Sequence, residues 1–283
     1  MTAVSLKSCL NQHLTQIVRD RNPFYASGGH FYVKEYLRQE LSLLGTVESQ
    51  YFEIKSQQYE NLILNLPGKV EKIQQPPILI GAHYDTVPGS PGADDNGTGL
   101  AVLLELAKHF YQEPAEFPLR LVAFDLEEYG LLGSRAYAQW LKQERQPLRL
   151  MMSLEMLGYA TNEPNSQHYP PGLKYFYPST GNFIALISNL KTTGDARKIS
   201  RPIRQVNIPC ECLTVPFNGW MVWDTRRSDH SPFWDAGYRA IMVTDTANLR
   251  NPYYHRSTDK IETLNLDFLT GVCEGLTQAI KQF

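Results

Sequence analysis

Cysteine is scarce in this 283-residue chain: there are four, Cys9, Cys210, Cys212 and Cys273, and none has a C-x-x-C spacing. That excludes a disulfide framework and fits a reducing compartment. Cys210 and Cys212, two apart, would share a face of a strand and are expected as buried apolar residues. No stretch reaches the ~18 consecutive apolar residues of a membrane-spanning helix, and Met1 to Asn22 lack the apolar segment of a signal peptide, so a cytoplasmic location is expected. An excess of one charge is also missing. Lys and Arg number 27 against 29 Asp and Glu, a formal net charge of -2. Neither nucleic acid nor an anionic membrane is therefore expected as a partner. Arg226-Arg227, the densest basic pair of the second half, is too short to act as an arm. Repeats and low-complexity tracts are absent as well.

What is present is ordinary globular material, 42% hydrophobic and 20% charged. A chain of this length buries roughly 75% of its unfolded surface without staples, and residues 1–283 are expected to form a single domain. Apolar residues at helical spacing predict helices over about 5–20 and 28–44, the second stopping at Gly45. Residues 46–55 and 59–66 alternate like two paired strands. Short, continuously apolar runs follow at 78–80, 119–124, 148–154 and 240–244. Continuous rather than alternating apolarity marks strands covered on both faces, in a parallel or mixed sheet. Residues 99–110 read as a buried crossover helix and about 131–143 as a further one. A long loop is expected over 158–181, and a last helix over 266–281 is capped by Asn265.

Histidines and carboxylates recur where these apolar runs end. His83 follows the first, Glu127-Glu128 the second, Glu155 ends the third and His255 follows the fourth. In an open α/β sheet ligands bind outside the carboxyl ends of the strands, and imidazole and carboxylate suit Zn²⁺. In G-A-H-Y-D, Asp85 lies on the same face as His83 and can accept from its second ring nitrogen. P-G-A-D-D-N-G-T-G places Asp94 and Asp95 before the buried helix. Its acidity and the lack of a following Lys argue against a phosphate loop. Adjacent Glu127 and Glu128 point in different directions and suit two tasks, base and ligand. Glu155 stands inside an apolar strand, where an unpaired carboxylate is costly. Ser228-Asp229-His230 cannot be a nucleophilic triad, since neighbours point apart; it reads as pocket support or plain loop. Tyr169, Tyr175, Phe176 and Tyr177, or Phe217, Trp220 and Trp223, are candidates for an apolar pocket.

The ordered series H-x-D, A-D-D-N-x-T-G, E-E, S-L-E-M and a late His before S-T-D resembles the two-zinc aminopeptidases. That metallopeptidase family also contains glutamate carboxypeptidase, the glutaminyl cyclases and the catalytically silent transferrin receptor. The resemblance implies a three-layer α/β/α sandwich around a mixed, largely parallel central sheet, forming one catalytic domain with the N-terminal helices packed on it. It implies two zinc ions, one held by His83 and Glu155, the other by Glu128 and His255, with Asp95 bridging. Glu127 would be the general base, Asp85 would orient His83, and Tyr254 would help stabilise the tetrahedral intermediate. The Asp95–Asn96 bond is expected to be cis. The implied reaction is hydrolysis of the first bond of a peptide with a free N-terminus. Glu155 stands where many members have Asp. A single-zinc glutaminyl cyclase, using Asp95, Glu155 and His255, is the alternative.

Overall fold

A computed structural model describes residues 5–170 and 172–283. Its strands are β1 (Val47–Ile54), β2 (Gln57–Leu66), β3 (Ile78–His83), β4 (Leu119–Phe124), β5 (Leu150–Glu155), β6 (Ile184–Asn189), β7 (Cys210–Val215) and β8 (Ala240–Thr244). All belong to one sheet in the order β1-β2-β4-β3-β5-β8-β6-β7. The central strands β4, β3, β5 and β8 run parallel to one another. β1 and β2 form an antiparallel hairpin that joins β4 antiparallel, and β6 returns antiparallel to β8. The expected mixed, largely parallel sheet is thus the observed one. β3 and β5 are buried at every position, as continuous apolarity requires of strands covered on both sides.

The helices are α1 (Leu6–Ile17), α2 (Ser27–Ser42), α3 (Gly99–Gln112), α4 (Leu132–Gln143), α5 (Thr193–Gln205), α6 (His230–Ala236) and α7 (Leu266–Lys281). One core layer joins α1, α2, α3, α5 and α7 to the sheet through residues such as Leu10, Leu37, Leu103, Ile199 and Leu276. The opposite layer packs Tyr137 and Leu141 of α4 and Phe233 and Trp234 of α6 against Phe124, Met151 and Met242. Asn265 caps α7 as expected, accepting from the Phe268 N–H at 3.0 Å. Cys210 and Cys273 are buried, whereas Cys212, expected in the core, is half-buried, because β7 is the edge of the sheet.

Four elements between 182 and 239 carry weak sequence signals. α5 contains Pro202, a residue that ordinarily argues against a helix interior. β7 is half-exposed over most of its length, and α6 has only 7 residues. β6 is a short run that turns polar at Ser188-Asn189.

The segment between α1 and α2 clamps the loops that leave β3. The Arg21 guanidinium, fully buried, donates to the carbonyls of Tyr84 (2.9 Å), Pro91 (2.7 Å), Gly92 (2.9 Å) and Asp95 (3.3 Å). Gly92 has φ 59°, and a Cβ there would lie 2.2 Å from the Asp95 carbonyl oxygen, so only glycine fits this turn. Asn22 donates to the Thr86 carbonyl at 2.7 Å, and His30 lies 2.8 Å from the Asp125 carboxylate. Replacing Arg21 with an apolar side chain strands several buried carbonyls at once. Arg21→Met should therefore lower unfolding free energy by about 2–4 kcal/mol, read from the urea midpoint; an unchanged midpoint would refute the clamp.

Candidate metal centre

The carboxyl ends of β3, β4 and β5 and the loop after β8 meet at one rim. His83 closes β3, Glu155 closes β5, Glu127 and Glu128 follow β4, and His255 lies in the stretch after β8. Asp95 comes from the kinked turn 93–98 ahead of α3, where it and Asn96 leave helical geometry and their shared peptide bond is cis. Leu126 (φ 54°), Met156 (φ 51°) and His255 (φ 58°) all adopt left-handed backbone. Each costs a non-glycine residue roughly 1–3 kcal/mol. The strain falls on the residues at, or next to, Glu127, Glu155 and His255, where it aims their side chains.

Two sets of groups converge, His83 with Asp95 and Glu155, and Asp95 with Glu128 and His255, each offering atoms within 4.8 Å of one another. His83 Nε2 is 3.2 Å from Asp95 Oδ1 and 3.8 Å from Glu155 Oε1. His255 Nε2 is 3.1 Å from Asp95 Oδ2 and 3.2 Å from Glu128 Oε2. Asp95 thus turns one oxygen to each set. Glu127 Oε2 lies 3.9 Å from His83 Nε2, beside the His83 set but a member of neither. The trio Asp95, Glu155 and His255 is not among the converging sets of the described residues.

Asp85 divides its work differently from the sequence expectation. His83 Nδ1 donates at 3.2 Å to the Asp85 main-chain carbonyl, with the carboxylate at 3.4 Å. A carbonyl only accepts, so Nδ1 carries the proton and Nε2 keeps its lone pair for a ligand. The Asp85 carboxylate accepts the N–H groups of Glu127 (3.0 Å) and Glu128 (3.1 Å), fixing the backbone of both. Tyr254 stacks on His255 with ring centroids 3.7 Å apart, and its hydroxyl accepts from Arg227 at 3.0 Å.

The chemistry of the site fits a multivalent cation. His83 Nε2, Asp95 Oδ1 and Glu128 Oε1 are buried without a hydrogen-bond partner, an expensive arrangement for polar atoms unless something else satisfies them. Burial, joined by the charges of Glu155, Glu128 and Asp229, pushes Glu127 well above the usual carboxylate range despite His83. Burial and the Asp95 charge push Glu128 up to about 7. Against desolvation, hydrogen bonds to Asp95 and Glu128 push His255 up to about 10. Left to themselves these groups hold protons; a divalent cation between them inverts that order and favours the ionised carboxylates and neutral imidazoles.

Several supporting residues were not assigned roles from sequence. Asp259, the acid of the S-T-D run, accepts the N–H groups of Asp94 (3.0 Å) and Asp95 (3.1 Å). Asp94 in turn accepts from Gly158 (2.9 Å) and Asn251 (2.7 Å). Ser228 donates to Glu155 Oε2 at 2.8 Å, so its segment supports the site rather than forming plain loop. Asp229 is fully buried with neither oxygen hydrogen-bonded, and burial pushes it up to about 7. Of the aromatic candidates, Tyr169 and Tyr177 line a pocket beside Glu155 and Tyr254. Tyr175, Phe176, Phe217, Trp220 and Trp223 are exposed instead. Arg21 gave no signal, because an arginine in an R-D-R-N-P run reads as surface.

The relatives of this chain agree with the geometry. A model of peptidase family M28 matches residues 61–279. The uncharacterised protein YfbL of Escherichia coli (strain K12) is 32% identical over 265 residues, 86% of this chain and 77% of that protein. The structure of LapA aminopeptidase from Legionella pneumophila shares the fold, with a TM-score of 0.73 at 20% identity over 97% of this chain and 71% of that one. BSAP, a zinc aminopeptidase from Bacillus subtilis, superposes with a TM-score of 0.62 at 26% identity, covering 80% of this chain and 50% of its own. No helix among the described residues is long and apolar enough to cross a membrane. With the family model spanning every converging histidine and carboxylate, this chain belongs to peptidase family M28.

Proposed function

We propose that the chain is a zinc aminopeptidase, its residues 1–283 working as one catalytic domain on peptides with a free N-terminus. The observation that carries this reading is the pair of three-residue sets sharing Asp95, with Glu127 next to His83. His83 and Glu155 would hold one ion, Glu128 and His255 the other, and Asp95 both. When bound, the ions supply a Lewis acid that makes water acidic near neutral pH and polarises the peptide carbonyl.

The chain's own groups do the rest. Glu127 takes a proton from the attacking water as its oxygen bonds to the carbonyl carbon. It passes that proton to the departing nitrogen as the C–N bond breaks. Asp85 holds Glu127 in place through the backbone N–H it accepts and keeps His83 in one tautomer. Burial, with the Asp95 charge, holds the Tyr254 phenol well above its usual range and so protonated. Because Arg227 already donates to its oxygen, the Tyr254 proton is free to point at the developing oxyanion. The acids around the site would hold the substrate's ammonium group. Convergence on two sets rather than on Asp95, Glu155 and His255 favours this reading over the cyclase.

Glu127→Gln should retain zinc but lose about 10²–10⁴-fold or more in kcat on leucine anilide; normal turnover by that variant would remove Glu127 as the base. An N-terminal glutaminyl peptide should be cut, not cyclised, which mass spectrometry of the products decides. Chelation should lower Tm and added zinc should restore it, since binding to the folded form alone stabilises it; a Tm indifferent to both would contradict the centre.

A further inference from the structure

Resting on the peptidase reading, we propose that the pocket beside the centre selects a lysine or arginine at the substrate's N-terminus, with Glu211 recognising its charged tip. The sheet register places the two ends of this pocket. Glu155 pairs with Thr244 across β5 and β8, Thr244 with Ala185 across β8 and β6, and Ala185 with Glu211 across β6 and β7. These four residues form one row on one face, because directly paired residues of neighbouring strands point the same way. Three inter-strand steps of ~4.8 Å put the two glutamates roughly 14 Å apart between Cα atoms. Ala185 and Thr244, small residues between two acids, leave the floor of the row low.

The space above that floor is open because no α-helix among the described residues packs over β6 and β7 on this face. On this face α4 packs on β1 and β2 and α6 on β5 and β8, while α5 covers β6 and β7 from the other side. The gap is walled by loops instead, and its cavity volume is about 100 Å³. Tyr169, Tyr177, Phe183, Ile187, Leu213 and Met242 make its walls apolar. An aliphatic stem gains from such walls, and a cationic head suits a carboxylate at the far end.

Glu211 is available for that role. No described side chain pairs with its carboxylate. Arg204 donates to the Cys210 carbonyl rather than to Glu211. Arg227, the cation lining the pocket, is committed at the other end to Tyr254 (3.0 Å) and Asn248 (3.2 Å), with Asp224 at 3.8 Å. Glu211 and Tyr169 line the same pocket; burial, against the Arg250 charge and with the Glu211 charge adding to it, pushes the Tyr169 phenol up to about 12. The simpler account of Glu211 is a charge that keeps an edge strand from pairing with another chain, and it requires no dependence on substrate charge.

The test compares lysine, arginine and norleucine anilides on the zinc-loaded protein and on Glu211→Gln; norleucine has the lysine stem without the charge. Wild type should favour lysine and arginine over norleucine by about tenfold or more in kcat/KM, and the ratio should fall toward one in the variant. Calorimetry of lysinamide and norleucinamide binding to the same two proteins should show the same loss of discrimination. A wild type that prefers norleucine, or a cation preference that survives Glu211→Gln, overturns the proposal. If leucine and lysine anilides are both untouched, the peptidase reading fails, and the amide titrations still decide whether Glu211 recognises a cation.

Discussion

Like charges crowded at the rim of a sheet, out of reach of solvent, are the constraint from which the rest of this structure follows. Asp85, Asp95, Glu127 and Glu155 are all nearly inaccessible to solvent. The positive side chains among them are two histidines and, behind the loop, Arg21. Coulomb repulsion between carboxylates grows as local dielectric falls, so such a cluster is stable only when protons or cations divide its charge. The two sets meeting at Asp95 have the ligand types that accept zinc. In that sense neutralisation of the cluster, by protons or by a cation, is a structural requirement of the arrangement before it is a catalytic one.

That requirement explains features remote from the ligands. The turn 93–98 has to present Asp95 to both sides, and it is held from two directions. Arg21 binds the carbonyls of Asp95 and of Gly92 just before the turn, and Asp259 binds the N–H groups of Asp94 and Asp95. Asp85 does the same for the Glu127-Glu128 backbone, and Ser228 fixes Glu155. Hydrogen bonds to main-chain groups set the position of a ligand without competing for its metal-facing atoms. The left-handed backbone at Leu126, Met156 and His255 is tolerated because these anchors over-determine the loops around it.

Three of the candidate ligands, His83, Glu128 and Glu155, were legible in the amino-acid sequence because they lie at or just past the end of a short apolar run, where strand chemistry stops and a polar residue has to be explained; Asp95 and His255 were legible from the ordered motifs. Glu155, embedded in such a run, carried the strongest signal. The anchors were harder to see. Asp259 sits in a polar stretch where an aspartate is unremarkable, and Arg21 reads as surface because its burial depends on carbonyls from residues 84–95. Asp85 shows how far spacing reasoning reaches: two residues from His83, it takes the ring's Nδ1 proton on its main-chain carbonyl with its carboxylate 3.4 Å away, while the hydrogen bonds of that carboxylate to a backbone that follows another strand had no signal in the spacing. β6, α5, β7 and α6 escaped because edge exposure, an internal proline and short length blur their periodicity. With them went Glu211, whose place in the Glu155 row exists only once four strands are in register.

The central claim is that these dispersed side chains form one cation centre with Asp95 at its middle. Anomalous diffraction at the zinc edge, from crystals of zinc-loaded protein, tests it directly. The account predicts two peaks, one against His83 and Glu155, the other against Glu128 and His255, with an Asp95 oxygen reaching each. A single peak, or zinc bound away from these residues, would contradict it.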